Sequence, residues 1–111
     1  MELSIVDRII IVKSLLPETG TIEQIKLIIA LKNKLGFSES EMNEFVISNP
    51  SRGILEISNV IPEMNERNSS YNITIEELNL MKQFANAFNI NGWITETSLN
   101  TIEYILDYTL E

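Results

Sequence analysis

The chain has 111 residues, of which 44% are apolar, and its 16 acidic and 8 basic side chains give a formal net charge of −8. This length suits one hydrophobic core, so we expect a single domain over residues 1–111. The sequence contains no cysteine and no histidine, which excludes disulfides, thiol catalysis, a Ser-His-Asp triad and imidazole ligands for zinc or haem.

Two helices are predicted in the first third of the chain. Residues 4–16 carry apolar side chains on most sides of a helix. Because a small domain has little interior to cover them, we expect this helix to form a homodimer interface. Thr21 and Gln24 match a capping box, in which each side chain pairs with the backbone amide of the other residue. This box predicts a second helix over residues 21–35, ended by Gly36 in a left-handed conformation.

The middle of the chain contains a predicted helix start, followed by segments whose sequence is typical of strands and not of helices. Ser38 and Glu41 form another capping box, which predicts a third helix over residues 38–47. Residues 53–58 and 71–74 are short and rich in β-branched side chains, so they predict the two strands of an antiparallel hairpin with a long loop. The alternative is an irregular connection whose isoleucine side chains pack onto the helices.

Two further helices are predicted in the last third of the chain. Thr74 and Glu77 form a capping box at the start of a fourth helix, residues 75–89, and Thr95 begins a fifth helix over residues 95–110. The short connection between them favours antiparallel or crossed neighbours. We therefore expect a mainly α fold, of the α+β class, with about five helices and the β-hairpin inserted between the third and fourth helices.

The charge is distributed unevenly along the chain. Residues 1–35 carry four acids and five bases, a net of +1, whereas residues 36–111 carry twelve acids and three bases, a net of −9. Nucleic acids are bound mainly through Lys and Arg, so we expect no direct nucleic-acid binding. A helix-turn-helix over residues 75–110 is excluded because its second helix lacks basic residues. No apolar run is long enough to span a membrane and no signal peptide is recognisable, which favours a cytoplasmic protein.

The most site-like cluster lies in the fifth predicted helix. Glu103 and Asp107, four residues apart, share a helical face and are flanked by Tyr104 and Tyr108. This face is an interaction surface, an acid–base pair for hydrolysis, or a solvated face whose tyrosines cover the core. Trp93, beside the turn before this helix, either covers one end of the helix pair or anchors a binding partner.

No pattern typical of catalysis or metal binding is found in the sequence. Gly-rich phosphate loops, calcium loops and the acid-plus-lysine cluster of metal-dependent nucleases are all missing. We therefore expect no enzyme activity, no cofactor, and no catalytic or metal-binding residues. The preferred hypothesis is a protein-interaction module whose partner has a basic surface. The alternative is an acidic inhibitor that imitates nucleic acid and blocks a nucleic-acid-binding host protein such as a defence nuclease, in the manner of an anti-CRISPR protein.

Several short segments are similar to those of a known group of proteins. They are residues 7–10, 15–20, 35–41 and 94–96, together with Tyr104. With a hairpin-like middle, they resemble small helical proteins encoded in bacteriophage and prophage genomes. The resemblance implies a small accessory protein of a mobile element that acts on other proteins. Since that family has no established activity, the resemblance implies no site residues.

Overall fold

The structure, a computed structural model, describes residues 1–37 and 62–110. This part of the chain contains four α-helices: α1 (Ile5–Ile10), α2 (Ile22–Leu35), α3 (Ile75–Asn91) and α4 (Glu96–Asp107). The other described elements are a π-helical turn (Ile11–Leu15) after α1, a 3₁₀ turn (Pro62–Asn65), and two short strands, β1 (Glu2–Leu3) and β2 (Ser69–Ser70). The mainly helical class predicted from the sequence is confirmed.

The first predicted helix is present, and its apolar side chains are enclosed by the protein's own chain. Ile9 and Ile10 in α1 and Ile11 in the π-helical turn are each at most 1% exposed. They are covered because α1 packs against α4 and the 3₁₀ turn, while the π-helical turn packs against α2 and α3. These side chains are therefore covered within one chain, so α1 does not offer the exposed apolar surface from which the homodimer was expected.

Each described α-helix begins with a capping box. The pairs are Ser4 with Asp7 in α1, Thr21 with Gln24 in α2, Thr74 with Glu77 in α3, and Thr95 with Ser98 in α4. In every pair the first hydroxyl accepts from the amide three residues later, which satisfies a helix N–H that otherwise has no partner. The predicted starts of α2, α3 and α4 are confirmed, and each rests on a four-residue pattern.

The C-terminal end of α2 is bound by a side chain from α1. Arg8 donates from Nε to the Leu35 carbonyl at 3.1 Å and from Nη2 to the Gly36 carbonyl at 2.8 Å. Gly36 has a φ of −63°, so the predicted left-handed conformation is wrong. Glycine fits at this position because a Cβ would collide with the carbonyl oxygen of Lys32.

The ends of the last two helices differ from the prediction by two or three residues. Helix α3 continues to Asn91 and ends at Gly92, whose φ of 69° is left-handed. Helix α4 ends at Asp107, three residues before the predicted end. Here the Leu106 carbonyl accepts from Lys82 Nζ at 2.8 Å, so it does not need the amide that a continuing helix would supply.

A long-range strand pair is found where the sequence predicted a local hairpin. Strands β1 and β2 are antiparallel, with Glu2 opposite Ser70. Met1 extends the pair, because its amino nitrogen donates to the Tyr71 carbonyl at 2.9 Å and its carbonyl accepts from the Tyr71 amide at 2.8 Å. The pair therefore attaches the first residues of the chain to the segment that precedes α3.

The predicted strand over residues 71–74 is wrong. Residues 69–70 form the strand instead, and the segment after Tyr71 leads directly to Thr74, the cap of α3. The other predicted strand, residues 53–58, lies outside the described residues, as do the third predicted helix, residues 38–47, and its capping box.

The main core lies where α2, α3, α4 and the π-helical turn meet. Its completely buried side chains include Ile11, Leu31, Met81, Ile102 and Ile105. A smaller cluster joins Val6, Ile9 and Ile10 of α1 to Met64 of the 3₁₀ turn. Helix α4 thus presents one face to this core and the opposite face to solvent.

Within the described ranges, no helix is long and apolar enough to cross a membrane.

A buried carboxylate links α2 to α3. Glu77 is 1% exposed, and its Oε1 accepts from Lys34 Nζ at 2.5 Å and from the Thr74 amide at 2.9 Å. Its Oε2 has no hydrogen-bond partner among the described residues. Burial raises the pKa of Glu77, but the hydrogen bonds from Lys34 and Thr74 outweigh burial and hold the pKa below its ordinary value of 4.5. Glu77 is therefore charged at neutral pH.

Candidate interaction surface on helix α4

The solvent-facing side of α4 carries an acidic stripe. The residues that face the core are Ser98, Thr101, Ile102 and Ile105. The residues on the opposite side are Glu96, Asn100, Glu103 and Asp107, and all four are exposed. At 3.6 residues per turn these four positions fall within an arc of about 60°, so they form one line along the helix. We call Glu96, Asn100, Glu103 and Asp107 the acidic stripe.

Beside the acidic stripe lies an open cleft of about 320 Å³. It is bordered by the start of α1, the segment after the 3₁₀ turn, and α4, and its lining includes Asp7, Arg67 and Tyr104. Glu103 and Asp107 of the stripe also line it. The structure therefore brings three of the predicted site residues, Glu103, Tyr104 and Asp107, to the mouth of one concave region.

The buried carboxylate of the cleft is fully engaged by its own chain. Asp7 is 2% exposed, and its oxygens accept from Arg67 Nε at 2.8 Å, from Thr101 Oγ1 at 2.6 Å and from the Ser4 amide at 3.0 Å. A buried charge is tolerated when it is paired and hydrogen-bonded in this way. Asp7 therefore positions α1, α4 and the segment of Arg67 relative to one another, and we assign it no chemical role.

Arg67 also fixes the position of the Tyr104 ring. Its guanidinium carbon lies 4.0 Å from the centroid of the Tyr104 ring, and Nη2 donates to the Asn100 carbonyl at 3.4 Å. The Tyr104 and Tyr108 rings meet edge to face, with centroids 5.6 Å apart. Both tyrosines are half-buried and pack against the main core, as one of the sequence interpretations expected.

The Tyr104 hydroxyl is held in its protonated form. Burial raises the pKa of Tyr104, and the neighbouring Tyr108 raises it further, while Arg67 opposes both effects without reversing them. At neutral pH the phenol therefore retains its proton and offers one hydrogen-bond donor at the edge of the cleft.

The carboxylates of the acidic stripe form no ion pair within the described residues. In the part of the chain that the structure describes, neither Glu103 nor Asp107 forms an ion pair. Two basic side chains contact α4: Arg67 forms its ion pair with Asp7, and Lys82 donates to the Leu106 carbonyl. The stripe therefore presents to solvent carboxylates that the described part of the chain leaves outside its ion pairs.

Trp93 lies at a different place from the other predicted site residues. It is 59% exposed, so the interpretation that it covers the end of the helix pair is wrong. Its ring meets the edge of Phe88 with centroids 5.7 Å apart. Trp93 follows the left-handed Gly92 at the α3–α4 turn and does not line the cleft. Of the five predicted site residues, Glu103, Tyr104 and Asp107 thus line the cleft, Tyr108 lies at the C-terminal end of α4, and Trp93 lies at the turn before it.

The chemistry available here is that of an acidic surface. Among residues 1–37 and 62–110, no group of three acidic side chains is placed to hold a metal ion. Glu103 and Asp107 are exposed, whereas an acid that must keep its proton at neutral pH is normally buried in an apolar pocket. Their arrangement suits attraction of a cationic group more than proton transfer.

The cluster of Asp7, Arg67 and Thr101 is not among the sites predicted from the sequence. One local signal was present, because Ser4 and Asp7 have the spacing of a capping box and Asp7 is the only acid in the first apolar helix. Nothing local indicates Arg67 or Thr101, which follow Asp7 by 60 and 94 residues.

Comparisons of the chain with protein-family models, with curated proteins and with solved structures find no match. The function is therefore inferred from the chemistry of the acidic stripe and its surroundings.

Proposed function

We propose that this chain is a non-enzymatic protein-interaction module that binds a basic surface of a partner protein through α4. The observation that carries the proposal is the alignment of Glu96, Glu103 and Asp107 along one exposed face, where none of the three forms an ion pair with another described residue. Such a face repels itself and gains free energy when Lys or Arg side chains of a partner approach it. Charge complementarity of this kind also accelerates association.

The surroundings of the stripe support a binding role. Tyr104 is held in place by Arg67, so it offers contact area at a low cost in conformational entropy. Tyr108 packs beside it. The adjoining cleft of about 320 Å³ has room for a side chain of the partner. We propose that Glu103, Tyr104, Asp107 and Tyr108 form the centre of the interface.

We place this interaction in the cytoplasm and in the context that the sequence resemblance implies, a small accessory protein of a phage or another mobile element. A second candidate is the acidic inhibitor of a nucleic-acid-binding protein. It is favoured by one observation, since the α4 carboxylates lie in a line along the helix, as the phosphates of a nucleic acid lie along its backbone. The two candidates differ in one respect: nucleic acid competes for the partner only in the second.

Affinity capture from the native host, followed by mass spectrometry, tests the proposal. The bait is the folded chain, compared with a variant that combines Glu103→Lys and Asp107→Lys. A matched control combines Glu18→Lys and Glu23→Lys, which changes the net charge equally at exposed positions outside α4. We expect the α4 variant to lose the partner at low salt and the control to retain it. If the α4 variant is folded by circular dichroism and keeps the partner, the proposal is wrong.

A further inference from the structure

Three exposed apolar side chains lie at the turn end of α4. They are Ile90 in the last turn of α3, Trp93 in the connection, and Leu99 in the first turns of α4, and they are 74%, 59% and 44% exposed. Single exposed apolar residues are ordinary, but three at one end of a helical hairpin, including the chain's only tryptophan, are typical of a contact surface.

This apolar end is continuous with the acidic stripe. Glu96 begins the stripe between Trp93 and Leu99 in the sequence. With a rise of 1.5 Å per residue, Glu103 lies about 10.5 Å further along the helix axis and Asp107 about 6 Å beyond it. The outer side of α4 thus offers apolar contact at its first turn and negative charge along the rest of its length.

We propose that the segment docking on this surface is a basic amphipathic α-helix of the partner protein. Its Lys or Arg side chains face Glu96, Glu103 and Asp107, and its apolar side chains cover Trp93 and Leu99. This inference rests on the proposed function and names the class of partner. Charge complementarity selects the occupant, because a cationic stripe neutralises three carboxylates that have no ion-pair partner among the described residues.

The backbone of α4 explains why the docking segment is a helix and not an extended peptide. An extended peptide gains affinity by pairing its N–H and C=O groups with an open strand edge, and a helix such as α4 has already paired these groups internally. A peptide helix satisfies its own backbone. It also repeats at the same 1.5 Å rise, so cations at positions i, i+7 and i+11 match the spacing of the three carboxylates.

Trp93 provides a direct readout because it is the only tryptophan in the chain. We would titrate the folded protein with three synthetic peptides that lack tryptophan. The first is a helix former with lysines at i, i+7 and i+11 and leucines beside them. The second has the same composition with the lysines distributed around the helix. The third keeps the lysine stripe but contains central prolines that prevent a helix.

We expect the first peptide to shift the Trp93 emission to shorter wavelength and to bind about tenfold more tightly than the other two. Glu96→Lys combined with Glu103→Lys should weaken its binding by about tenfold or more, and this loss should disappear at high salt. The control variant, Glu18→Lys with Glu23→Lys, should bind the first peptide as the wild type does.

Two results would overturn the helical partner while the proposed function stands. One is equal binding of the first and third peptides to the wild type, with the binding of both lost when Glu96→Lys and Glu103→Lys are combined. The acidic face would then bind a basic peptide whatever its conformation. The other is binding of the first peptide without a change in Trp93 emission, since the apolar end is then not engaged. If the first peptide fails to bind at millimolar concentration, the helical partner is also wrong, and the capture experiment still tests the proposed function separately.

Discussion

Two regions of this protein use carboxylates in opposite ways. Where α1 meets α4, Asp7 is buried and surrounded by donors from Arg67, Thr101 and Ser4. On the outer side of α4, Glu103 and Asp107 lie two and six residues after Thr101, and both are exposed and lack an ion-pair partner among the described residues. The difference shows what the surrounding donors indicate about a carboxylate. An acid bound by several donors of its own chain maintains the fold, and an exposed acid without an ion-pair partner is available to bind another protein.

Among the substitutions considered, the largest effect on stability is expected at Asp7. Asp7→Ala removes a capping group of α1 and leaves Arg67 without its counterion, and we expect a loss of about 3 kcal/mol of stability because one partner of a buried pair is deleted. This expected loss of stability lies below the upper end of the range for buried ion pairs, because the Arg67 side chain is one-third exposed. Urea unfolding measures it. The matched control, Glu103→Ala, should change the free energy of unfolding by less than about 0.5 kcal/mol. Equal effects at the two positions would refute the distinction.

Glu77 is a second buried carboxylate, and its Oε2 has no hydrogen-bond partner among the described residues. Glu77→Gln breaks the ion pair with Lys34 and buries an amide donor at the Oε2 position, so we expect a cost of about 2 kcal/mol at neutral pH. The lowered pKa means that the unfolded state binds the proton more readily. The contribution of Glu77 is therefore present above its ordinary pKa of 4.5 and is lost as the pH falls through the lower pKa of the folded state.

Urea unfolding of both proteins from neutral to acidic pH tests this prediction. The difference in unfolding free energy between wild type and Glu77→Gln should narrow as the pH decreases. A difference that stays constant over this range would show that the Glu77 charge contributes nothing.

The smallest effect is expected on the acidic stripe itself. Glu103→Gln combined with Asp107→Asn removes two charges that repel each other across one helical turn, so stability should stay within about 0.5 kcal/mol of wild type or increase slightly. Thermal unfolding at low and high salt checks this, since any increase should vanish when salt screens the charges. A clear destabilisation would mean that these carboxylates have structural partners after all.

The helix starts could be predicted because their information is local. Thr21, Thr74 and Thr95 each stand three residues before their capping partners, and the structure places a helix start at every one. The strand pair could not be predicted in the same way. Met1 and Tyr71 are 70 residues apart, and two-residue strands carry no period that a sequence pattern reveals. Residues 71–74 are predicted as a strand because Ile73 is β-branched. In the structure the Ile73 side chain is buried in the core, directly before Thr74, the cap of α3.

The candidate surface was partly predictable because the spacing of its acidic residues is also local information. The four-residue spacing of Glu103 and Asp107 determines that they share a face of α4, and their exposure follows from the apolar residues on the opposite side. The position of Trp93 depends on Gly92, whose left-handed conformation directs the chain away from α3. A sequence pattern shows that a turn occurs there, and it does not show which side of the turn faces solvent.

The order in which the chain is synthesised affects α1. Its partners at the Asp7 carboxylate are made late, Arg67 after 60 further residues and Thr101 after 94. A ribosome that adds about 5–20 residues per second leaves the isoleucines of α1 without their final cover for roughly 5–20 s. During this time the nascent helix has its own cap but no core, and it is available to chaperones and to neighbouring nascent chains. Rapid overproduction would therefore cause aggregation first through α1, although its Ile9 and Ile10 side chains are buried in the finished protein.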